Sequence, residues 1–351
     1  MKTQANMPQT LKSRLSRFSF LSLIGLTWCA ISFLMVACAP RVMLPSDQVV
    51  PPTLSDNIFI SFDGAPLTYQ KWLPPTGDIK SIVIALHGFN DYSQFFENTG
   101  IWLSQFGVAS FAYDQRGFGQ SSNAGLWSGS LAMQKDLKSF IAIIQNKHSN
   151  IPIYVLGESM GGAVVMTSMA QENAPQVSGL ILVAPAVWGE QTMPWYQRWA
   201  LNVASYTVPW MTLTGRGLKI TPSDNIPMLR KLGKDPYIIK ETRVDAIYGL
   251  TILMGEALRS ASELNQNTLV LYGERDEIIP KHPTKMMLDK LPNSEKHPKK
   301  IALYEHGYHM LLRDLKASIP QQDILSWMKK PKSPLPSKAD MKSIQALLEK
   351  E

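Results

Sequence analysis

The sequence predicts an α/β protein: a mostly parallel sheet of eight strands, helices on both of its faces, and one helical insertion. Three observations point there. Short apolar runs alternate with longer amphipathic stretches from about residue 58 to residue 330. Several runs, SIVIAL at 81–86 above all, are apolar without alternation, as strands covered on both faces must be. One interval, from Val183 to Thr268, is far longer than a single crossover helix requires. A chain of 351 residues, 45% hydrophobic and 18% charged, suits one such domain with an insertion and not a disordered polymer.

In order, Ile58–Phe62 and Leu67–Trp72 read as an opening antiparallel pair. Ser81–Leu86 is the first fully buried strand, Gln94–Phe106 is helical by pattern, and Val108–Tyr113 is the next strand. Ser130–Lys147 places Leu131, Leu137, Phe140, Ile141 and Ile144 at helical spacing. Ile153–Leu156 is a strand followed by a helix over Met160–Gln171. Leu180–Val183, Thr268–Tyr272 and Ile301–Tyr304 complete the strands, and a helix near Gln321–Lys329 closes the core. Right-handed crossovers put helices on both faces and a ligand at the carboxyl ends of the strands.

The core therefore comprises residues 58–187 and 268–330. The interval 188–267 carries Trp188, Met193, Trp195, Tyr196, Trp199, Tyr206, Trp210 and Met211, and reads as a helical cap or lid. Most of these side chains are expected to pack within the cap. A minority, with Trp188, Trp195 and Trp199 as candidates, is expected to face a substrate at the entrance. Pro331, Pro334 and Pro336 open a Pro/Lys-rich tail over 331–351, whose end, Ala339–Glu351, is compatible with a short helix.

The N-terminus is a different kind of sequence. Lys2, Lys12, Arg14 and Arg17 come without an acidic residue, and an apolar run from Phe18 to Ala37 follows. That order reads as an export signal over residues 1–37. Met35-Val36-Ala37-Cys38 resembles a bacterial lipobox, which implies that Cys38 is lipidated and becomes the mature N-terminus. Met35 stands where that pattern prefers Leu. The other reading is an uncleaved membrane anchor, since about 20 apolar residues span a bilayer. Both readings give an exported, membrane-anchored protein facing the periplasm or cell exterior, because the positive end stays inside. Ala39 is not the Asp that commonly retains such lipoproteins in the inner membrane, which leaves outer-membrane sorting open. Residues 38–57, with Pro45, Pro51 and Pro52, read as a tether.

The net charge of +7 reflects 35 basic against 28 acidic residues. Setting aside the four basic residues of the signal leaves 31 against 28, with no basic stripe that would suit nucleic acid. The two cysteines, Cys29 and Cys38, both precede the domain, so a disulfide or a Cys-based metal site within it is excluded.

Gly157-Glu158-Ser159-Met160-Gly161 is a G-x-S-x-G motif between an apolar strand and a helix opening on Gly161, Gly162 and Ala163. A sharp strand-to-helix turn presents the Ser hydroxyl above the sheet, and small neighbours let it close. The helix N-terminus there favours developing negative charge. A nucleophilic Ser159 needs a base. Of the six histidines (His87, His148, His282, His297, His306 and His309), only His306 and His309 follow the last strand, where the base belongs. His309 is preferred and His306 is its rival. The orienting acid should follow the preceding strand, where Gly273-Glu274-Arg275-Asp276-Glu277-Ile278-Ile279-Pro280 offers Asp276, flanked by Glu274 and Glu277. The oxyanion donors expected are the backbone N–H groups of Met160 and of Phe89, in the loop His87-Gly88-Phe89. His87 reads as structural, as does the turn Asp114-Gln115-Arg116-Gly117-Phe118-Gly119-Gln120-Ser121.

These motifs, HGFNDYS at 87–93, DQRGFGQS at 114–121, GESMGG at 157–162, GERDEIIP at 273–280 and YHML at 308–311, resemble the monoacylglycerol lipase/lysophospholipase-like branch of the α/β-hydrolases. The likeness runs from about 58 to 329 and implies serine-dependent hydrolysis of carboxylic esters on lipid-like monoacyl substrates, through an acyl-enzyme and without metal or organic cofactor. Two departures bear on the pocket. Asn90-Asp91-Tyr92-Ser93 stands where many members have G-E-H-S, and Glu158 stands where many have His, which makes Glu158 a candidate substrate contact. The same triad would also serve acyl transfer to another acceptor, or thioester or amide cleavage. Haloalkane and epoxide hydrolases place Asp where this chain has Ser159. A non-catalytic, membrane-tethered binding protein on the same scaffold would usually lack a triad member.

Overall fold

The computed structural model describes residues 39–215 and 217–342. The expected signal over 1–37, Cys38 and the last nine residues lie outside the described residues.

The continuous apolar runs form the centre of one nine-stranded sheet. Its strands are β1 (Thr53–Ser55), β2 (Ile58–Ile60), β3 (Pro66–Trp72), β4 (Ser81–Leu86), β5 (Val108–Tyr113), β6 (Ile153–Glu158), β7 (Gly179–Val183), β10 (Thr268–Gly273) and β11 (Lys299–Tyr304). A separate two-stranded ribbon pairs β8 (Thr212–Leu213) with β9 (Thr242–Arg243). The order β1-β2-β3-β5-β4-β6-β7-β10-β11 is antiparallel through the β3–β5 pair and parallel from β5 onward. Every residue of β5, β6, β7 and β10 is buried, which is why those runs show no alternation. The eight expected strands are all present. Thr53–Ser55 adds a ninth at the edge, too short and too exposed to leave a periodic signal.

The helices are α1 (Glu97–Ser104), α2 (Ser130–Lys147), α3 (Met160–Met169), α4 (Trp195–Thr207), α5 (Ile226–Lys234), α6 (Val244–Ser260), α7 (Lys281–Lys290) and α8 (Ser318–Lys329). Helix α3 carries the glycines of the turn and is buried along its whole length. Among the described residues, no helix is long and apolar enough to cross a membrane.

Three segments differ from their sequence reading. From residue 41 onward, the stretch read as a tether lies along the domain. Arg41 N meets Asp245 Oδ2 at 3.3 Å, Met43 N donates to Trp127 O at 2.8 Å, and Val50 N donates to Phe62 O at 2.8 Å. Backbone groups make these contacts, so the side-chain pattern did not announce them. Helix α6, read as part of the cap, packs along α3 and buries Val244, Ala246, Leu253, Met254, Ala257 and Leu258. Close approach needs Gly249, where a Cβ would sit 2.3 Å from the Trp127 ring. The tail also docks: Leu335 and Ala339 are buried, Lys300 pairs with Asp340 at 2.8 Å, and Ser337 N donates to Asp323 Oδ1 at 3.0 Å. The short turn Ala339–Met341 packs against β11, the edge strand of the sheet.

One buried charge cluster ties the first strands to the layer of α2. Arg116 meets Asp63 through Nη1 at 2.7 Å and Nη2 at 2.6 Å, and Asp136 through Nε at 2.5 Å and Nη2 at 2.6 Å. Ser61 Oγ donates to the same Asp136 carboxylate. All three charged residues are buried, so removal of the cation strands two carboxylates in a dry site. Arg116→Met is expected to lower unfolding free energy by about 3–5 kcal/mol, read from urea denaturation.

Candidate active site

Strand β6 ends on Glu158 and helix α3 begins at Met160, so a single residue, Ser159, makes the turn. Its φ is +53° and ψ is −117°, a backbone region that L-residues other than glycine rarely occupy. Backbone bonds hold it there: Ser159 N donates to Val183 O at 3.0 Å, and Ala186 N donates to Ser159 O at 2.9 Å. Two glycines are forced by proximity. A Cβ at Gly157 would lie 2.4 Å from Gly161 O, and one at Gly161 would lie 2.3 Å from Leu86 O.

The loop after β4 lies directly against this turn. A Cβ at Gly88 would be 3.3 Å from Ser159 Cβ and 3.9 Å from Ser159 Oγ. His87 is fully buried and anchors the loop. Gln115 N donates to His87 Nε2 at 2.9 Å, which puts the ring proton on Nδ1, and Nδ1 donates to Gly88 O at 2.8 Å. Burial holds the imidazole below its ordinary pKa, consistent with that neutral tautomer. Asp114 braces the same region by accepting from Ser93 N at 2.9 Å and from Gln120 N at 2.7 Å. Phe89 follows Gly88, with its ring 5.4 Å from Phe118 and 6.4 Å from Trp127. Met160 is fully buried as the first residue of α3.

Because β10 and β11 are parallel neighbours, the loops after them emerge side by side. The structure places Asp276 and His309 together there. His309 Nδ1 donates to Asp276 Oδ2 at 2.8 Å, and Asp276 Oδ1 accepts from Ile278 N at 2.8 Å and Ile279 N at 3.0 Å. Both side chains are buried. Burial alone would lower the imidazole pKa. The charge and hydrogen bond of Asp276, with a further pull from Glu158, outweigh it against opposition from Arg313, so His309 titrates above its ordinary value. His306, the rival, is exposed and meets Arg275 Nη2 at 2.9 Å. Glu274 pairs with Lys342 at 2.7 Å, and Glu277 accepts from Thr221 N at 2.7 Å.

The four expected substrate contacts differ in their surroundings. Glu158 is 1% exposed, and its Oε1 meets Arg313 Nη2 at 2.6 Å, so its carboxylate answers a buried cation. Trp195 and Trp199 are 73% and 64% exposed, because α4 buries only Ser205. Trp188 is half-buried and packs against the main core.

The sequence reading missed the groups that hold the loops together. Arg313 also meets Asp91 Oδ2, at 2.7 Å. Asn90 Nδ2 donates to Thr242 Oγ1 at 2.7 Å, Ile239 N donates to Asn90 O at 3.0 Å, and Tyr92 OH donates to Asp235 Oδ2 at 2.8 Å. The insertion is thereby latched to the loop of Phe89. The insertion also grips the loop of His309: Met310 N donates to Pro222 O at 3.0 Å, and Ser223 Oγ donates to Asp314 Oδ1 at 2.6 Å. The available signal was the departure at 158, since an acid in place of the His of many members, next to the buried turn, calls for a cation. Among the described residues, no group of three or more His, Cys, Asp or Glu is placed to hold a metal ion.

A nucleophile-type turn after a central strand, with a His–Asp pair on the loops of the last two parallel strands, defines an α/β-hydrolase. The chain belongs to the family described as serine aminopeptidase, S33, whose model matches residues 77–316. It is similar to the monoacylglycerol lipase of Mycolicibacterium smegmatis, 23% identical over 292 residues that cover 80% of this chain and 99% of the relative. It is also similar to the monoglyceride lipase of Rattus norvegicus, 25% identical over 260 residues that cover 73% and 84% of the two chains. Among solved structures, a soluble variant of Saccharomyces cerevisiae monoglyceride lipase in complex with a substrate analogue superposes with a TM-score of 0.67 at 21% identity. That superposition covers 82% of this chain and 99% of the other.

The electrostatics give a signed prediction. The His309 imidazole, followed by NMR, should titrate with a midpoint above 6.5 in the wild type. Asp276→Asn removes the charge that raises it, so the midpoint should fall below the wild-type value.

Proposed function

We propose that this chain hydrolyses carboxylic esters through a serine acyl-enzyme, with lipid-like monoacyl substrates of the monoacylglycerol or lysophospholipid type. The observation that carries this reading is the buried His309–Asp276 pair at the same end of the sheet as the strained turn of Ser159. In the proposed cycle, Ser159 Oγ attacks the ester carbonyl while His309 takes its proton. Asp276 holds the imidazole tautomer and stabilises the imidazolium. The N–H groups of Phe89 and Met160 receive the oxyanion, an arrangement supported by the approach of Gly88 to Ser159. The alcohol leaves with the proton from His309, and water enters by the same route to free the acid.

The substrate class is supported by the similarity to monoacylglycerol and monoglyceride lipases. Each buried methylene contributes about 0.8 kcal/mol, so an apolar acyl site would show as a chain-length preference. On p-nitrophenyl esters, kcat/KM should rise with chain length from acetate, and a steep preference for acetate would refute the lipid-like class. Ser159→Ala should abolish fluorophosphonate labelling and lower kcat by at least about 10⁴-fold.

We further propose that the protein is exported and held at a membrane by lipid on Cys38, on the strength of the basic, apolar and small-residue order over 1–38. Mass spectrometry of the mature N-terminus should find a lipidated Cys38, and an intact Met1 would refute it.

A further inference from the structure

We propose that Arg313 is a positioning residue for the reaction. Its guanidinium, clamped between Asp91 and Glu158, holds the loop of His309 in register with the loop of Phe89 and the turn of Ser159. The inference rests on the serine hydrolase reading of the site and assigns the residue that aligns its three parts.

The geometry is a three-way joint. Asp91 lies two residues after Phe89, Glu158 directly precedes Ser159, and Arg313 lies four residues after His309. The ion pairs measure 2.7 Å to Asp91 and 2.6 Å to Glu158, and all three side chains are at most 7% exposed. The joint is braced on both sides. Asp91 Oδ1 accepts from Tyr92 N at 2.8 Å, and Asn225 Nδ2 donates to Arg313 O at 2.9 Å. A guanidinium suits this task because it stays charged and offers several donors in a rigid plane, so it engages two carboxylates at once, whereas an ammonium is a point charge on a flexible stem. Burial makes the partners interdependent, since loss of one leaves the other charges unpaired in a dry site.

The joint also sets the field at the base. The charged groups acting on His309 are Asp276 from the acid loop, Glu158 from the nucleophile turn and Arg313 from its own loop. Glu158 raises the imidazole pKa and Arg313 lowers it, so the two ends of one ion pair act with opposite sign.

The test compares E158Q, R313M and R313K in the full chain, with the His309 ring followed by NMR and turnover followed on a p-nitrophenyl ester. Neutralising Glu158 should lower the His309 midpoint, and neutralising Arg313 should raise it. The opposite signs report the field of the joint, and R313K, which keeps that field, reports the alignment. R313K retains the charge but not the two-point grip. It should keep the midpoint near wild type while kcat falls about tenfold to a hundredfold and KM changes little, and it carries the test if R313M fails to fold. Midpoints that stay still or move the same way in E158Q and R313M, or an R313K enzyme with wild-type kcat, would overturn the proposal. The NMR readout needs no turnover. A wild type that fluorophosphonate does not label would therefore count against the hydrolase reading, while the midpoints still decide whether Arg313 and Glu158 oppose one another at His309.

Discussion

At Ser159 the backbone is held at φ +53°, and that conformation persists because other backbones press on it without side chains between them. Gly157 faces Gly161, Gly161 faces Leu86 O, and Gly88 lies beside Ser159 itself. Each contact is closer than a methyl group would allow or close to that limit. The consequences radiate outward. The hydroxyl stands at the start of a buried helix, the loop of Phe89 comes within van der Waals reach, and β4 and β6 must be direct neighbours in the sheet. A parallel doubly wound order supplies that adjacency, and the same order brings the loops after β10 and β11 together for Asp276 and His309.

Polar groups then do what glycine packing cannot, which is to align loops that begin far apart in the chain. Asp276 spends one oxygen on His309 and the other on two backbone amides, so its orientation is determined from both sides. The insertion takes part in this alignment. Residues 222–225 bond to the loop of His309, and residues 235–242 bond to Asn90 and Tyr92. The segment above the strand ends is therefore attached to the functional loops on two sides. Its aromatic helix α4 stays at the surface, with Ser205 as its one buried residue among those described.

What could be read from the sequence followed from how local the physics is. Ser81–Leu86 and Val108–Tyr113 were legible to the residue, because strands covered on both faces are apolar throughout. The candidate nucleophile, base and acid were legible because each sits in a short motif whose neighbours serve the same turn. Arg313 was not: its partner Glu158 lies 155 residues away, and nothing near 313 marks it. The docking of residues 41–50 was equally hidden, since backbone amides and a few polar side chains make it. The exposure of Trp195 and Trp199 was not legible for a further reason. Composition tells that a segment is apolar, but which way its face turns depends on what it packs against. Helix α6 was hidden within a long insertion whose apolar content looked uniform, although Gly249 marks the side that lies against Trp127.

The run from Arg41 to Val50 has a mechanical meaning. Its first anchors are Asp245, at the start of α6, and Trp127, whose ring also touches Phe89. Any tension arriving along the polypeptide from upstream is delivered to those two points before it reaches the sheet. Residues 41–50 thus fasten to the rim that carries the loop of Phe89 and the root of the insertion.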